Sequence, residues 1–408
     1  MKYIITIALI ATLALGYTYH GAYLLDGPVA PPDASAYAMG GLRVLPPASS
    51  ANVVWAPGTL PQKGIHGGLN LSLTHVSETR AMPLYDSFDN HAAWTPYVSM
   101  TQTYADFAIS AAYGFEQEWV PTIAVGYAPI FDTRYIYREQ VRGGDGPAQD
   151  QLLGVWSIDG EGGLAGPVFG ISEAIMEYAT IGVSATMLSG TIEMHRSPAV
   201  QDSIQHNAEP WEAPFDNDTV YSAELSGTMI NLSAVITPTD RWQIGLRYIP
   251  QTDLGESLYM DALPSRFGIG VGYRPAGYVM SRIVAEAEMV GYAAIAEEDS
   301  AFAMLEDAWE FRLGMEHILP SDIPLRIGAF YRKIPLADPI AKSGFTIGSG
   351  VAFGPAVVDL GACYEMSRYY WHDQFPQSWL GSSGGDREDL DRVEEGILTG
   401  SVSIKVEF

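Results

Sequence analysis

The chain has 408 residues, of which 47% are apolar, only 17% are charged and 42 are glycine, and its net charge is −26. That acidity argues against a nucleic-acid partner held through phosphates, and the single cysteine, Cys363, excludes an intramolecular disulfide framework and a cysteine-rich zinc site. Beyond the N-terminus there is no apolar run of the roughly 18 residues that would read as a transmembrane helix, so a helical membrane protein is excluded.

The chain opens on a secretory pattern. Lys2 supplies a positive start, Tyr3 to Leu15 is a short apolar stretch, and Ala14 and Gly16 are small residues with signal-peptidase spacing. Residues 1–16 are therefore expected to be a cleaved signal peptide, and no cysteine lies near the cut to carry a lipid anchor. Residues 17–66 are rich in Pro, Ala, Gly and Ser and show no sustained alternation. They are expected to form either a plug inside a barrel or a periplasmic tail.

Residues 67–408 alternate with period two rather than 3.6. Trp242, Ile244, Leu246 and Tyr248 alternate with Gln243, Gly245 and Arg247; Phe267, Ile269, Val271 and Tyr273 alternate with glycines. The last strand sets Val402, Ile404, Val406 and Phe408 against Ser401, Ser403, Lys405 and Glu407. Such strands suit a soluble sandwich or a membrane barrel, and the connections choose between them. Tight turns such as Thr237–Asp240, Arg274–Gly277 and Gly354–Pro355 follow even-numbered strands, while longer polar links such as Ser197–Thr219 and Trp371–Glu394 mostly follow odd-numbered ones. This asymmetry, with about 14 strands, is the outer-membrane arrangement, so the fold class is an all-β transmembrane antiparallel barrel. Closure is what lets strands cross hydrocarbon without unpaired backbone groups. Trp94, Tyr97, Trp119, Tyr248, Tyr273, Tyr278, Tyr369, Tyr370 and Trp371 lie toward strand ends, as interfacial girdles require.

Signals for catalysis are weak. Gly381-Ser382-Ser383-Gly384-Gly385 has serine-hydrolase spacing but sits in a Gly/Ser loop rather than on a strand-to-helix turn. The acidic run Asp386–Glu395 lacks the glycine and carboxylate spacing of a calcium loop, and the eight histidines show no zinc spacing. Neither enzyme activity, metal nor cofactor is expected. By alternation, Arg247, Arg274, Arg312, Arg326 and Arg332 face the lumen beside Glu286, Glu288, Glu310 and Glu316, either as salt-bridge ladders or as a greeting for an anionic head group. Pro129 interrupts a third strand that otherwise reads continuously from Thr122 to Tyr135; a proline there belongs at an edge, bulge or kink. Gly126, just upstream, leaves room for a ligand or for the N-terminal segment.

These residues resemble the FadL-type outer-membrane transporters of long-chain fatty acids and other hydrophobic compounds. Asp33 to Gly41 resembles the family's opening segment with its Met39-Gly40-Gly41. Val54-Trp55-Ala56-Pro57-Gly58 resembles the hatch motif Asn-Pro-Ala, with Ala56 in place of Asn and Gly58 in place of Ala. Gly126–Pro129 and Tyr135–Glu139 look like the family's third strand. The resemblance implies 14 strands, an N-terminal hatch in the lumen, a lateral opening at the kinked third strand and passive uptake of a hydrophobic or amphipathic small molecule. The expected partners are that ligand, outer-membrane lipids and the barrel-insertion machinery, which would read Phe408 as an assembly signal. Two rivals are a general diffusion porin and a non-transporting barrel that serves a secretion or surface-attachment machine.

Overall fold

The period-two pattern becomes one antiparallel sheet that closes on itself. The computed structural model describes residues 18–22, 33–117, 120–143, 151–200, 219–255, 261–276, 280–298, 305–336, 340–375 and 389–408. The expected signal segment, Trp119, Tyr278, Gly381–Gly385 and Asp386–Glu388 lie outside the described residues. In chain order the strands are β1 (Gly64–Tyr85), β2 (His91–Gly114), β3 (Thr122–Asp132), β4 (Tyr135–Gly143), β5 (Gln151–Met176), β6 (Ala179–Val200), β7 (Thr219–Thr239) and β8 (Trp242–Ile249). A two-residue ribbon, β9 (Thr252–Asp253) with β10 (Ala262–Leu263), precedes β11 (Ser265–Tyr273) and β12 (Ser281–Gly291). Then come β13 (Ala308–Ile318), β14 (Pro324–Lys333), β15 (Ala341–Phe353), β16 (Ala356–Trp371) and β17 (Asp391–Glu407). Elements adjacent in the chain pair around the ring except that β3 and β4 do not pair with each other and β8 pairs with β11 past the β9–β10 ribbon; β17 returns to β1, and β3 pairs with both β2 and β5. Because β3 and β4 lie end to end along β5, they are two halves of one barrel strand, so fourteen strands form the ring among the described residues.

The long third strand read from sequence is thus broken. A register shift between Pro129 and Phe131 makes a bulge, and Ile130 and Phe131 are both buried. One extra residue flips every later side chain to the opposite face: Ala124 and Ala128 point in before the bulge, Tyr135 and Tyr137 after it. β5 bends in concert at Gly162 and Gly163, whose φ values of 99° and 152° suit glycine.

The apolar face points outward. Leu246, Ile269, Phe311 and Ile347 are exposed, whereas inward neighbours such as Arg247, Glu288 and Thr346 are buried; this inside-out pattern suits lipid on the outer face. Trp242 and Tyr273 pack at 4.6 Å on one rim, and Trp94 and Tyr370 at 5.6 Å on the other. Tyr369 and Trp371 do not join the girdle: flanking outward Tyr370, they point into the barrel against His20 at 5.2 Å.

An arginine at Ile269 is expected to cost about 2–4 kcal/mol of folding free energy if it lies near the bilayer midplane, against little change for Gln243→Arg on the inner face. Equilibrium folding into lipid vesicles measures both, and equal penalties would refute the inside-out assignment. Gly268, at first sight the obvious inner control, is unsuitable because a Cβ there would stand 2.8 Å from Val44 Cγ2.

Candidate functional site

The interior has two layers. The layer nearer the short turns holds residues 33–63, which touch inward side chains all round the ring. Ala34 N donates to Ser403 Oγ (2.7 Å) on β17, Gly40 N to Thr346 Oγ1 (2.8 Å) on β15, and Gly58 N to Ser233 Oγ (2.6 Å) on β7. Ser50 and Ser110 share a hydrogen bond at 2.8 Å on β2, and Asn231 donates to the Val54 carbonyl at 3.0 Å. Glu286 on β12 accepts three backbone N–H bonds, from Arg43 (2.9 Å), Val44 (3.0 Å) and Leu45 (2.7 Å).

Glycine makes the seat. Cross-strand rungs Gly245–Gly270, Gly314–Gly328 and Gly348–Gly361 face inward. A Cβ on Gly328 would lie 2.2 Å from Gly40 N, and one on Gly348 2.4 Å from Ala38 Cβ. Gly126 likewise faces this segment: a Cβ there would approach Val53 Cγ1 to 3.3 Å. Of the resembled hatch motif, Trp55 is buried with the guanidinium groups of Arg43 (4.9 Å) and Arg247 (5.5 Å) over its ring, two cation–π contacts. Ala56 N donates to the Asn52 carbonyl (2.8 Å), and Pro57 opens the short 3-10 turn that presents Gly58 to Ser233. With no Asn at position 56, Asn52 supplies the internal tie, donating to Pro47 O and Thr59 Oγ1, each at 2.8 Å. Burial pushes the Asp33 carboxyl up, but Lys405 at 3.4 Å and Ser35 outweigh it and hold it below the usual carboxylate range. That tie is therefore complete at neutral pH and is lost as pH falls through the lowered value.

The inward arginines are engaged in ion pairs. Arg247 meets Glu288 (2.7 Å) by reaching across Gly268, which shares their rung and has no side chain to obstruct it. Arg312 bonds Glu310 and lies 3.4 Å from Glu288; Arg326 bridges Glu316 (2.6 Å) and Asp359 (2.5 Å); Arg332 pairs with Glu365 (2.9 Å). Arg274 does not join them: it lies past the end of β11, exposed on the turn. Arg266, overlooked in the sequence although it has the same parity as Gly268, takes that place with Glu288 (2.6 Å) and Glu310 (3.2 Å). The geometry is that of an ion-pair ladder along the inner wall. Breaking one partner of such a buried pair leaves a costly uncompensated charge.

The second layer, toward the long loops, is largely apolar on its β4–β8 side. Tyr137, Trp156, Leu188, Met194, Met229 and Ile249 point in from β4 to β8 and join one cluster with Leu254 and Tyr292 from the loops. A polar-lined lumen is the norm for channels that pass water-soluble solutes; this side is lined as a protein core is. The facing side is charged: Arg80 bonds Glu78 (2.7 Å), Lys342 bonds Glu395 (3.0 Å), and Tyr135 donates to Glu78 (3.0 Å).

Beside this layer the wall is incomplete. β2 and β3 share a ladder only from Ile109–Tyr113 against Tyr127–Ile123. Beyond Tyr127, the β3–β4 strand pairs with β5 alone, and β2 with β1 alone, among the described residues. Side chains bridge the seam instead: Arg134 donates to Asp106 (3.0 Å), Gln102 to the Ile136 carbonyl, and the Arg138 backbone N–H to Met100 Sδ (3.2 Å). Pro129 lies two residues into this unpaired stretch. The seam is wider than one proline could explain, and its bridging Asp106 and Arg134 went unremarked in the sequence. Ionisable residues inside an otherwise apolar membrane strand were the available signal. A separate groove of about 640 Å³, lined by Ile171, Ile181, Leu232, Leu246 and Tyr248 among others, lies on the outer wall rather than in the lumen.

No family model matches the chain, and no curated protein matches it in sequence. Solved structures share its fold. A FadL homologue of Pseudomonas aeruginosa aligns with TM-score 0.61 at 11% identity, over 94% of this chain and 99% of that one. The toluene transporter TodX of P. putida aligns with TM-score 0.61 at 14% identity, over 94% and 99%. The toluene transporter TbuX of Ralstonia pickettii aligns with TM-score 0.55 at 13% identity, over 94% and 99%. The fold is that of the FadL-type barrels.

Proposed function

We propose that this protein is an outer-membrane channel for passive uptake of hydrophobic or amphipathic small molecules, which leave the lumen sideways through the seam between β2 and the β3–β4 strand. The observation that carries this reading is the juxtaposition of an apolar side of the upper lumen with a stretch of wall that has no backbone ladder. Unpaired backbone facing lipid costs several kcal/mol per group, so a structural barrel gains nothing from such a seam. A molecule that prefers hydrocarbon to water gains a path that ends in the bilayer. The named activities of the fold relatives, toluene transport among them, point to the same chemical class. Residues 33–63 act in this reading as a hatch closing the lumen toward the short-turn side.

Protein-dependent uptake of radiolabelled toluene and hexadecanoate by cells or vesicles tests the proposal. Transport of either above a barrel-free control supports it. A large, stable conductance step with no such uptake would favour a general porin instead, and a stoichiometric co-purifying protein with no uptake would favour a secretion role.

Phe408 is read as the assembly signal. It is exposed on the outer face, and its backbone pairs with Ile65 (Phe408 N to Ile65 O, 3.0 Å) to finish the β1–β17 closure. Deleting it is expected to lower membrane-inserted protein in cells while refolding in detergent stays nearly intact. Equal loss in both assays would reduce Phe408 to a stabilising residue.

A further inference from the structure

The upper lumen contains a flat aromatic slot that the chain itself fills. Tyr137 on β4 and Trp156 on β5 both point inward, and Phe375, carried on the segment after β16, lies against both. Its ring stacks on Trp156 at 5.1 Å with planes 19° apart and on Tyr137 at 6.0 Å and 28°. The Arg196 guanidinium on β6 covers it at 5.1 Å. All three rings are buried. The segment bearing Phe375 is held by polar ties: Arg196 donates to the Gln374 carbonyl, and Arg80 to the His372 carbonyl at 3.5 Å. With its amide oxygen turned toward Arg80, Gln374 accepts from both terminal guanidinium nitrogens at 2.9 and 2.8 Å.

We propose that Tyr137, Trp156 and Arg196 form a binding slot for a flat, uncharged ring, that Phe375 occupies it as an internal stand-in, and that an arriving ligand competes with Phe375 for it. This deepens the function proposed above and rests on it. Parallel-offset aromatic faces and a guanidinium plane select planarity and polarisable π-density, which a straight alkyl chain does not offer. Tyr137 sits on the strand half that borders the seam, so a ring released from the slot is already beside the exit. A site occupied by the chain's own residue shows a ligand an apparent affinity reduced by the fraction of time it is vacant.

The test is equilibrium dialysis of tritiated naphthalene and of hexadecanoate against purified full-length protein in detergent, with uptake of both measured in parallel. Stacking contributes about 0.5–1.5 kcal/mol, so Phe375→Ala is expected to tighten naphthalene binding roughly two- to twelvefold. Phe375→Trp, which fills the slot more completely, is expected to weaken it, and hexadecanoate binding is expected to move by less than about twofold with either. Adding Trp156→Ala to Phe375→Ala should erase the gain. Phe375→Leu, which keeps an apolar side chain but no ring, repeats the test should the alanine variant fold poorly. Unchanged or weaker naphthalene binding in folded Phe375→Ala and Phe375→Leu variants overturns the slot even where the wild type transports. Tighter binding with no protein-dependent uptake upholds the slot and refutes the transport reading.

Discussion

A disulfide joining Ala108→Cys on β2 to Ala128→Cys on β3 is expected to lower uptake of a labelled hydrophobic compound by roughly tenfold or more, the effect of about 1.4 kcal/mol added to a barrier, with recovery on reduction. The ladder between these strands ends at the rung Ile109–Tyr127, so Ala108 and Ala128 are the next residues along it. Both side chains are small, buried and turned to the lumen. A bond there extends strand pairing into the open stretch and ties its lower end shut. The native thiol does not compete, because Cys363 is buried on the far side of β17 and β1. Uptake unchanged by complete cross-linking would eliminate the lateral route and leave only a path straight through the lumen. A weaker perturbation should act in the opposite sense: Asp106→Asn removes the carboxylate that Arg134 bridges across the seam at 3.0 Å, and faster uptake is its expected result.

Much of the barrel was legible because its physics is local. Each strand needs only an apolar outer face, and period-two alternation records that directly, as in Phe267 to Tyr273. Strand number and the inside-out sense followed from connection lengths. The interior was less legible because it depends on residues brought together from distant strands. Arg266 and Arg274 have the same parity, yet one is buried in the ion-pair ladder and the other exposed; the difference is where β11 ends. Tyr369 and Trp371 have the composition of a girdle, but flank outward Tyr370 and so belong inside. Of the inward glycines, only Gly126 reads from sequence as leaving room for the N-terminal segment; the others show simply as the small residues alternating with apolar ones. Their purpose appears only when residues 34–45 are seen resting on them. Pro129 lies at the start of the unpaired stretch, but the extent of that stretch is a property of β2 as much as of β3, and on β2 only the ionisable Asp106 hints at it.

Replacing Glu286 with alanine is expected to unseat the hatch and open the barrel to ions. The carboxylate is buried and satisfies three consecutive backbone N–H groups, Arg43 through Oε2 and Val44 and Leu45 through Oε1. Each buried donor left without a partner costs about 1–3 kcal/mol, so the truncation destabilises the seated position by several kcal/mol while leaving the β12 ladder unchanged. Glu286→Gln should fall between: its amide oxygen still serves two of the donors, but its NH₂ group faces the third. The expected readout in planar bilayers is a larger single-channel conductance than wild type, ordered Ala above Gln, with unchanged heat-modifiable gel mobility as proof of an intact barrel. Loss of the Glu286 charge also perturbs neighbouring arginines, so a second variant reaches the hatch from the opposite wall. Gly328→Val places a side chain where Gly40 N now stands, 2.2 Å from the new Cβ, and touches no ion pair. Raised conductance in both variants makes residues 33–63 the seal of the lumen. Wild-type conductance in both would mean that the segment rests in the barrel without closing it.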